Sequence, residues 1–349
     1  MLISDFKSAV EKYNKDEMVL LAAELYKSIP KKVKEEKAID SLIEDFRSNK
    51  QKGKSRKPSV PFPSLSDEIE EFIENAMAQN YFAPNRVIPK KDRPKWRFLV
   101  KGYIKDLQTI PVDSEDGSAA TELLVSLYKT LQYGCGYYIF NTENPFASVG
   151  IKQTELLRIT LTRFLQQKMT PETMKKAVLL AGSGGVDRDT LDNWLHEVLV
   201  ECLKTTDRKE LAISQCTDLL KEQNQILGGM VNDKKSPYDL SHRIYEKTKV
   251  ISNLAECGFL IHASLFEYEE AIAFYKKYHP KEYQDEVFLY KLLYLLYDDN
   301  SIEYWKREYD LAVKKGVEPR SALQKTREYL QENGAFPRDE ESGHLIIYM

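Results

Sequence analysis

The chain has 349 residues, 42% of them apolar and 30% charged, with a formal charge of −3 at pH 7, a balance that belongs to a folded protein able to bury a sizeable core. No apolar run reaches the roughly 18 residues that a membrane-spanning helix requires, and the opening "MLISDFKSAVEKY" lacks the basic-then-hydrophobic layout of a secretion signal, so a cytoplasmic protein without integral membrane association is expected. Cys135, Cys202, Cys216 and Cys257 lie far apart with no CxxC pair, which argues against a zinc knuckle or a disulfide scaffold and reads as small buried hydrophobes.

Helical patterns start at once. Phe6, Val10 and Tyr13 share a face, and Asn14 with Glu17 has the form of a capping box for a helix carrying Met18, Leu21 and Leu25. After Pro30 a third pattern puts Ala38, Leu42, Ile43 and Phe46 on one side. The stretch "RSNKQKGKSRKPSVPFPS" has no apolar periodicity and three prolines. These features divide a short N-terminal helical unit, 1–48, from a basic flexible linker, 49–64, and a helical array, 65–349, with possible subdivision near 141–150 or 228–236.

Ser66 is placed to cap the next helix, with Ile69, Phe72, Ile73 and Ala76 as its buried stripe. Pro84 and Pro89 make the following segment irregular. In "RPKWRFLVKGYIKDL" the apolar residues Trp96, Leu99, Val100, Tyr103 and Leu107 form one helical face, and Arg97, Lys101 and Lys105 form another. Between Arg47 and Lys105 there are 14 Lys/Arg against 6 Asp/Glu, so the remainder of the chain is markedly acidic. Attraction for a polyanion is therefore local.

From Ser118 onward one apolar stripe follows another, the cleanest being Leu191, Trp194, Leu195, Val198, Leu199 and Cys202. Helix starts are expected at Thr170 before Pro171, at Asp207 with Glu210, at Ser236 before Pro237 and at Asn300 with Glu303; Gly316 and Gly334 suit helix ends. Only "GYYIF" and "HLIIY" alternate like strands. The fold class is all-α: stacked antiparallel helical hairpins forming an α-solenoid or multi-helical array.

One hairpin has a sharper pattern. In "AECGFLIHASLFEYEEAIAFYKKYHP", Ala255 to Pro280, the small Gly258 lies in the first helix, Ala271 and Tyr275 stand four apart, and a proline closes the unit. This resembles a tetratricopeptide-type hairpin, although Pro280 comes about three residues early and the set does not recur at the family's period. The resemblance implies helical-repeat packing and no catalytic residue.

Local catalytic patterns are incomplete. Gly182, Gly184 and Gly185 in "LLAGSGGVDRDT" are too tightly spaced for a dinucleotide loop, with Asp187 where a third glycine belongs, and read as a flexible helix-to-helix connection. "HEVLV" at His196 has Val200 where a second zinc ligand would stand, so His196 is expected to pair with Asp192 or face solvent. His242, His262, His279 and His344 are scattered. The carboxylate pairs Glu70/Glu74, Glu269/Glu270 and Asp298/Asp299 sit in polar surroundings, and no GxSxG elbow occurs. No catalytic, metal-binding or cofactor-binding residue is assigned.

Two surfaces stand out instead. The late tyrosines, with Tyr275, Tyr290, Tyr294 and Tyr297 as candidate contacts, suit a groove for a protein or peptide, since tyrosine combines a large contact area with a hydroxyl that tolerates water. The leading expectation is a non-enzymatic interaction scaffold. Arg86, Lys90, Lys91, Arg93, Arg97, Lys101 and Lys105 supply the alternative, sequence-independent binding of RNA or DNA through phosphates. An enzyme assembled from distant residues is the third reading.

Overall fold

The computed structural model describes residues 10, 12–30, 34, 61–231, 237–280 and 284–338. Fourteen α-helices and no strand occur among them, and the chain divides into two compact units, Met1–Lys57 and Pro58–Met349. Within the first unit, α1 (Lys15–Ser28) carries the expected capping box: the Asn14 side chain accepts from the Asp16 and Glu17 amides, and Glu17 accepts from the Asn14 amide at 2.9 Å. Such a cap stabilises a helix by about 1 kcal/mol. None of α1 is buried, its expected stripe of Met18, Leu21 and Leu25 included. The patterns at Phe6 and at Ala38–Phe46, most of the 49–64 stretch, and "HLIIY" lie outside the described residues.

The second unit begins with α2 (Phe62–Met77). It starts four residues ahead of Ser66, because Pro61 and Pro63 fit a helix entrance and Leu65 joins the core, while Ser66 bonds Glu70 within the helix. Residues 62–64, expected in the linker, are thus its first turn. A short 3₁₀ turn, Arg93–Lys95, leads into α3 (Trp96–Thr109). Here Trp96, Val100, Tyr103, Ile104 and Leu107 are buried, whereas Leu99 is 41% exposed and leaves the predicted stripe. Three residues beyond Trp96, Leu99 falls to one side of the arc that the other five share.

Next come α4 (Gly117–Gly134), α5 (Pro145–Val149), α6 (Gln153–Gln166), α7 (Pro171–Gly182) and α8 (Asp192–Cys202). The long pair α9 (Thr206–Val231) and α10 (Pro237–Ala263) follows, then α11 (Tyr268–Tyr278), α12 (Asp285–Leu295), α13 (Ile302–Lys314) and α14 (Ser321–Asn333). Many helices pack on the next in the chain, as α9 on α10 and α10 on α11, or on the next but one, as in α2 with α4, α6 with α8, α7 with α9, α8 with α10 and α10 with α12. Stacked hairpins produce that pattern. One continuous apolar core runs from Leu65 to Phe336 and includes Phe140, Phe146 and Val149 of the 141–150 neighbourhood.

Thr170 caps α7 as expected, accepting from the Thr173 amide at 3.1 Å. Asp207 lies inside the first turn of α9, with Thr205 accepting from the Arg208 amide instead. Asp298, and not Asn300, caps the 3₁₀ turn that precedes α13. The α10–α11 hairpin encloses Gly258, Ala271 and Tyr275, although its helices are 27 and 11 residues long.

The glycine loop after α7 is tied down, contrary to the flexible connection expected. Gln132 Nε2 donates to the Ser183 carbonyl at 2.7 Å, Gln153 Nε2 donates to the Gly185 carbonyl at 3.0 Å, and Gln153 Oε1 accepts from the Asp187 amide at 2.9 Å. Gly184 has φ +94° and abuts the Gln132 side chain, a position that admits no Cβ. The loop is a structural clasp, and "GYYIF" forms a turn beside it.

Candidate functional site

The first residue-rich recess lies where α8, α10 and α12 meet. α8 contributes Leu191, Asp192 and Asn193 at its entrance, α10 contributes Glu256, and α12 contributes Tyr290, Lys291, Tyr294 and Leu295 around a volume of about 280 Å³. Two of the four predicted tyrosines are therefore brought together, with rings 6.4 Å apart. The Arg320 guanidinium lies 3.7 Å over the Tyr290 ring and is itself held by Glu286 at 2.6 and 2.8 Å. That bidentate bond holds the Glu286 carboxyl below its usual range.

Tyr275 is a correction: at 0% exposure it is core, packed edge-on to Phe259, and cannot meet a partner. Its position four residues after Ala271 turns it into the hairpin interface. Tyr297 stacks on Phe336 at 4.2 Å, apart from the recess.

The recess charges neutralise one another. Lys291 Nζ donates to Glu256 Oε1 at 3.2 Å and to Ser252 Oγ at 3.1 Å; Asp192 takes Asn253 at 3.0 Å and Lys249 at 3.5 Å. Beneath them His196 is fully buried, its Nδ1 4.0 Å from Glu256 Oε2 and neither ring nitrogen hydrogen-bonded. This replaces the expected Asp192 pairing or solvent exposure, because Asp192 turns to α10 and the ring faces the packed side of α8. Desolvation lowers the His196 pKa against the opposing pull of Glu256 and Asp192. Desolvation likewise raises the Tyr294 pKa, with Glu197 adding to it.

The start of α8 also breaks the cleanest predicted stripe. Leu191 and Trp194 are 52% and 44% exposed, since Leu191 is the residue before the first helical turn and the helix buries Leu195, His196, Val198, Leu199 and Cys202. They stand between the tyrosine recess and a second one of about 740 Å³, where Trp194 is joined by Ile151, Lys152, Glu155, Asp187 and Asp189.

The predicted basic residues converge only in part. Lys90, Arg93 and Arg97 line a recess of about 350 Å³ with Tyr81, Phe82, Trp96, Asn141, Thr142 and Ser148. Arg93 is committed to the backbone, its Nε donating to Ile88 O and its Nη2 to Asn85 O. Arg86, Lys91, Lys101 and Lys105 are exposed outside the recess lining. Below it Trp96 stacks on Phe140 at 3.9 Å, and Tyr81 packs on Phe72 at 5.2 Å, its phenol pushed up to about 12 by burial.

Sequence reasoning missed a set of exposed rings, of which Phe82 lines this recess and Tyr133 and Tyr137 line another. Phe82 and Tyr138 stack at 5.6 Å and Tyr133 and Tyr137 at 4.4 Å, and all four are exposed. The run "YGCGYYIF" was the available signal, but strand-like alternation masked it.

Cys202, Cys216 and Cys257 are buried, and burial raises each thiol pKa. Among the described residues no three metal-ligating side chains converge, and no helix is long and apolar enough to cross a membrane. The chain matches no protein-family model, no curated protein and no solved structure.

Proposed function

We propose that this protein is a non-enzymatic cytoplasmic scaffold that holds another protein or peptide on a helix-built surface, in the manner of the tetratricopeptide-like repeats that its 255–280 hairpin resembles. The observation that carries the reading is the exposed Leu191–Trp194 ridge between two recesses. Large apolar side chains left uncovered beside polar walls are the usual anchors of a protein interface. On the Trp194 side Glu155, Asp187 and Asp189 outnumber Lys152, which favours a partner with an apolar anchor flanked by lysine or arginine. On the other side the charges are paired internally, leaving the tyrosines and Leu295 for contact.

Trp194 supplies its own test. Of the three tryptophans, Trp96 and Trp305 are buried, so a peptide seated on the ridge changes the emission of Trp194 alone. Peptides selected from a random library on the intact protein are expected to shift that emission saturably, and to lose at least tenfold in affinity for a Leu191→Ala, Tyr294→Ala variant. Selected peptides that leave Trp194 emission unchanged, or bind the variant as well as wild type, overturn this reading.

A further inference from the structure

A different face carries an independent signal. Gln79 adopts φ 59° and its Nε2 donates to the Tyr138 carbonyl at 3.0 Å, tying the turn after α2 to the turn after α4. The tie sets Phe82 against Tyr138, while Tyr133, in the last turn of α4, stacks on Tyr137 of the turn that follows. On one side of these rings stands the recess of Lys90 and Arg97. On the other, Tyr133 and Tyr137 line a recess of about 590 Å³ with Lys129, Lys249, His242 and Glu246.

Lys90 and Arg97 are exposed, and neither forms an ion pair among the described residues. Exposed rings flanked by unneutralised cations match the two chemistries of a polynucleotide, a π-face on every base and a negative charge at every linkage. A duplex hides its base faces, and an acidic peptide has no use for stacked rings. Asn141, Thr142 and Ser148 add neutral hydrogen-bonding groups to the phosphate side.

We propose that this face binds single-stranded nucleic acid, with bases stacking on Phe82, Tyr133, Tyr137 and Tyr138 and phosphate held by Lys90 and Arg97. The site is sequence-independent, because nothing in it selects a base edge. It lies on other residues than the Leu191–Trp194 ridge, so either reading stands or falls alone.

Fluorescence anisotropy tests it with labelled oligo(dT), oligo(rU) and a duplex, each of about twelve nucleotides, since single-strand sites span roughly 4–16. Both single strands are expected to bind more tightly than the duplex, and to weaken as salt rises. Lys90→Gln with Arg97→Gln should lower the magnitude of the logarithmic salt slope by about 1.4, two single-strand phosphates at about 0.7 each. Tyr138→Ala should weaken binding roughly tenfold, since it removes a ring on which a base stacks. Circular dichroism and thermal melting check that each variant keeps the fold. Absence of binding at low salt, a duplex bound as tightly as the single strands, or wild-type affinity in both folded variants overturns the proposal.

Discussion

Gly258 and Phe274 share one space across the α10–α11 interface: a Cβ built on Gly258 would stand 2.5 Å from the Phe274 Cζ and closer still to its Cε1. The glycine interrupts a helix in order to let a buried ring approach its backbone. Gly258→Ala should therefore destabilise the protein by up to about 2 kcal/mol, overpacking of about 1–3 kcal/mol being offset by a helix-propensity gain of about 1 kcal/mol. Chemical denaturation measures the loss, and adding Phe274→Leu should recover much of it. An unchanged midpoint for the single variant would show that the ring has another place to go.

Helix α3 offers a contrast between two apolar residues three positions apart. Trp96 is 4% exposed and stacked on Phe140, so Trp96→Ala should cost about 3–5 kcal/mol. Leu99→Ala should cost about 1 kcal/mol or less, because at 41% exposure the side chain gives up far less buried surface. Equal losses for the two would restore Leu99 to the buried stripe.

Gln153 clasps the glycine loop from 0% exposure, serving Gly185, Asp187 and, at 3.4 Å, the Tyr128 hydroxyl. Gln153→Leu leaves the buried Asp187 amide without that partner, at about 1–3 kcal/mol, and the part-buried Gly185 carbonyl, which water can reach, at less. The expected loss is about 2–4 kcal/mol, with faster amide exchange at residues 183–187 than elsewhere in the core. Uniform exchange across the chain would contradict a local clasp.

His196 makes stability depend on pH in a defined direction. Its folded pKa lies below the ordinary 6.5, chiefly by desolvation, with Lys291 adding to the shift and Glu256 and Asp192 opposing it. As pH falls through the unfolded value the unfolded chain takes up a proton that the native site resists, so stability declines below about pH 6.5. His196→Leu removes two unpaired buried nitrogens and that dependence. The variant should match or exceed wild type in urea at about pH 7.5, and its advantage should grow at about pH 5.5. An advantage that shrinks on acidification would mean that His196 takes up its proton more readily in the folded chain than in the unfolded one.

Helices were legible where the signal lies within four residues, although the starts read at Ser66, Asp207 and Asn300 were displaced. The Asn14–Glu17 box and the Thr170 cap with Pro171 behind it were readable because caps are local hydrogen-bonding arrangements. Apolar periodicity likewise located α3 and α8, and the all-α class followed from such stripes recurring along the chain. Periodicity names an apolar face without naming the neighbour that covers it. Only the packing of α8 left Leu191 and Trp194 in solvent while sealing His196 beneath Glu256. Only the closeness of α10 and α11 made Tyr275 core. The aromatic face lay furthest from view, since Gln79 and Tyr138 are 59 positions apart and their hydrogen bond, like the ring stacking beside it, exists only once two turns have been brought together by the helices that carry them.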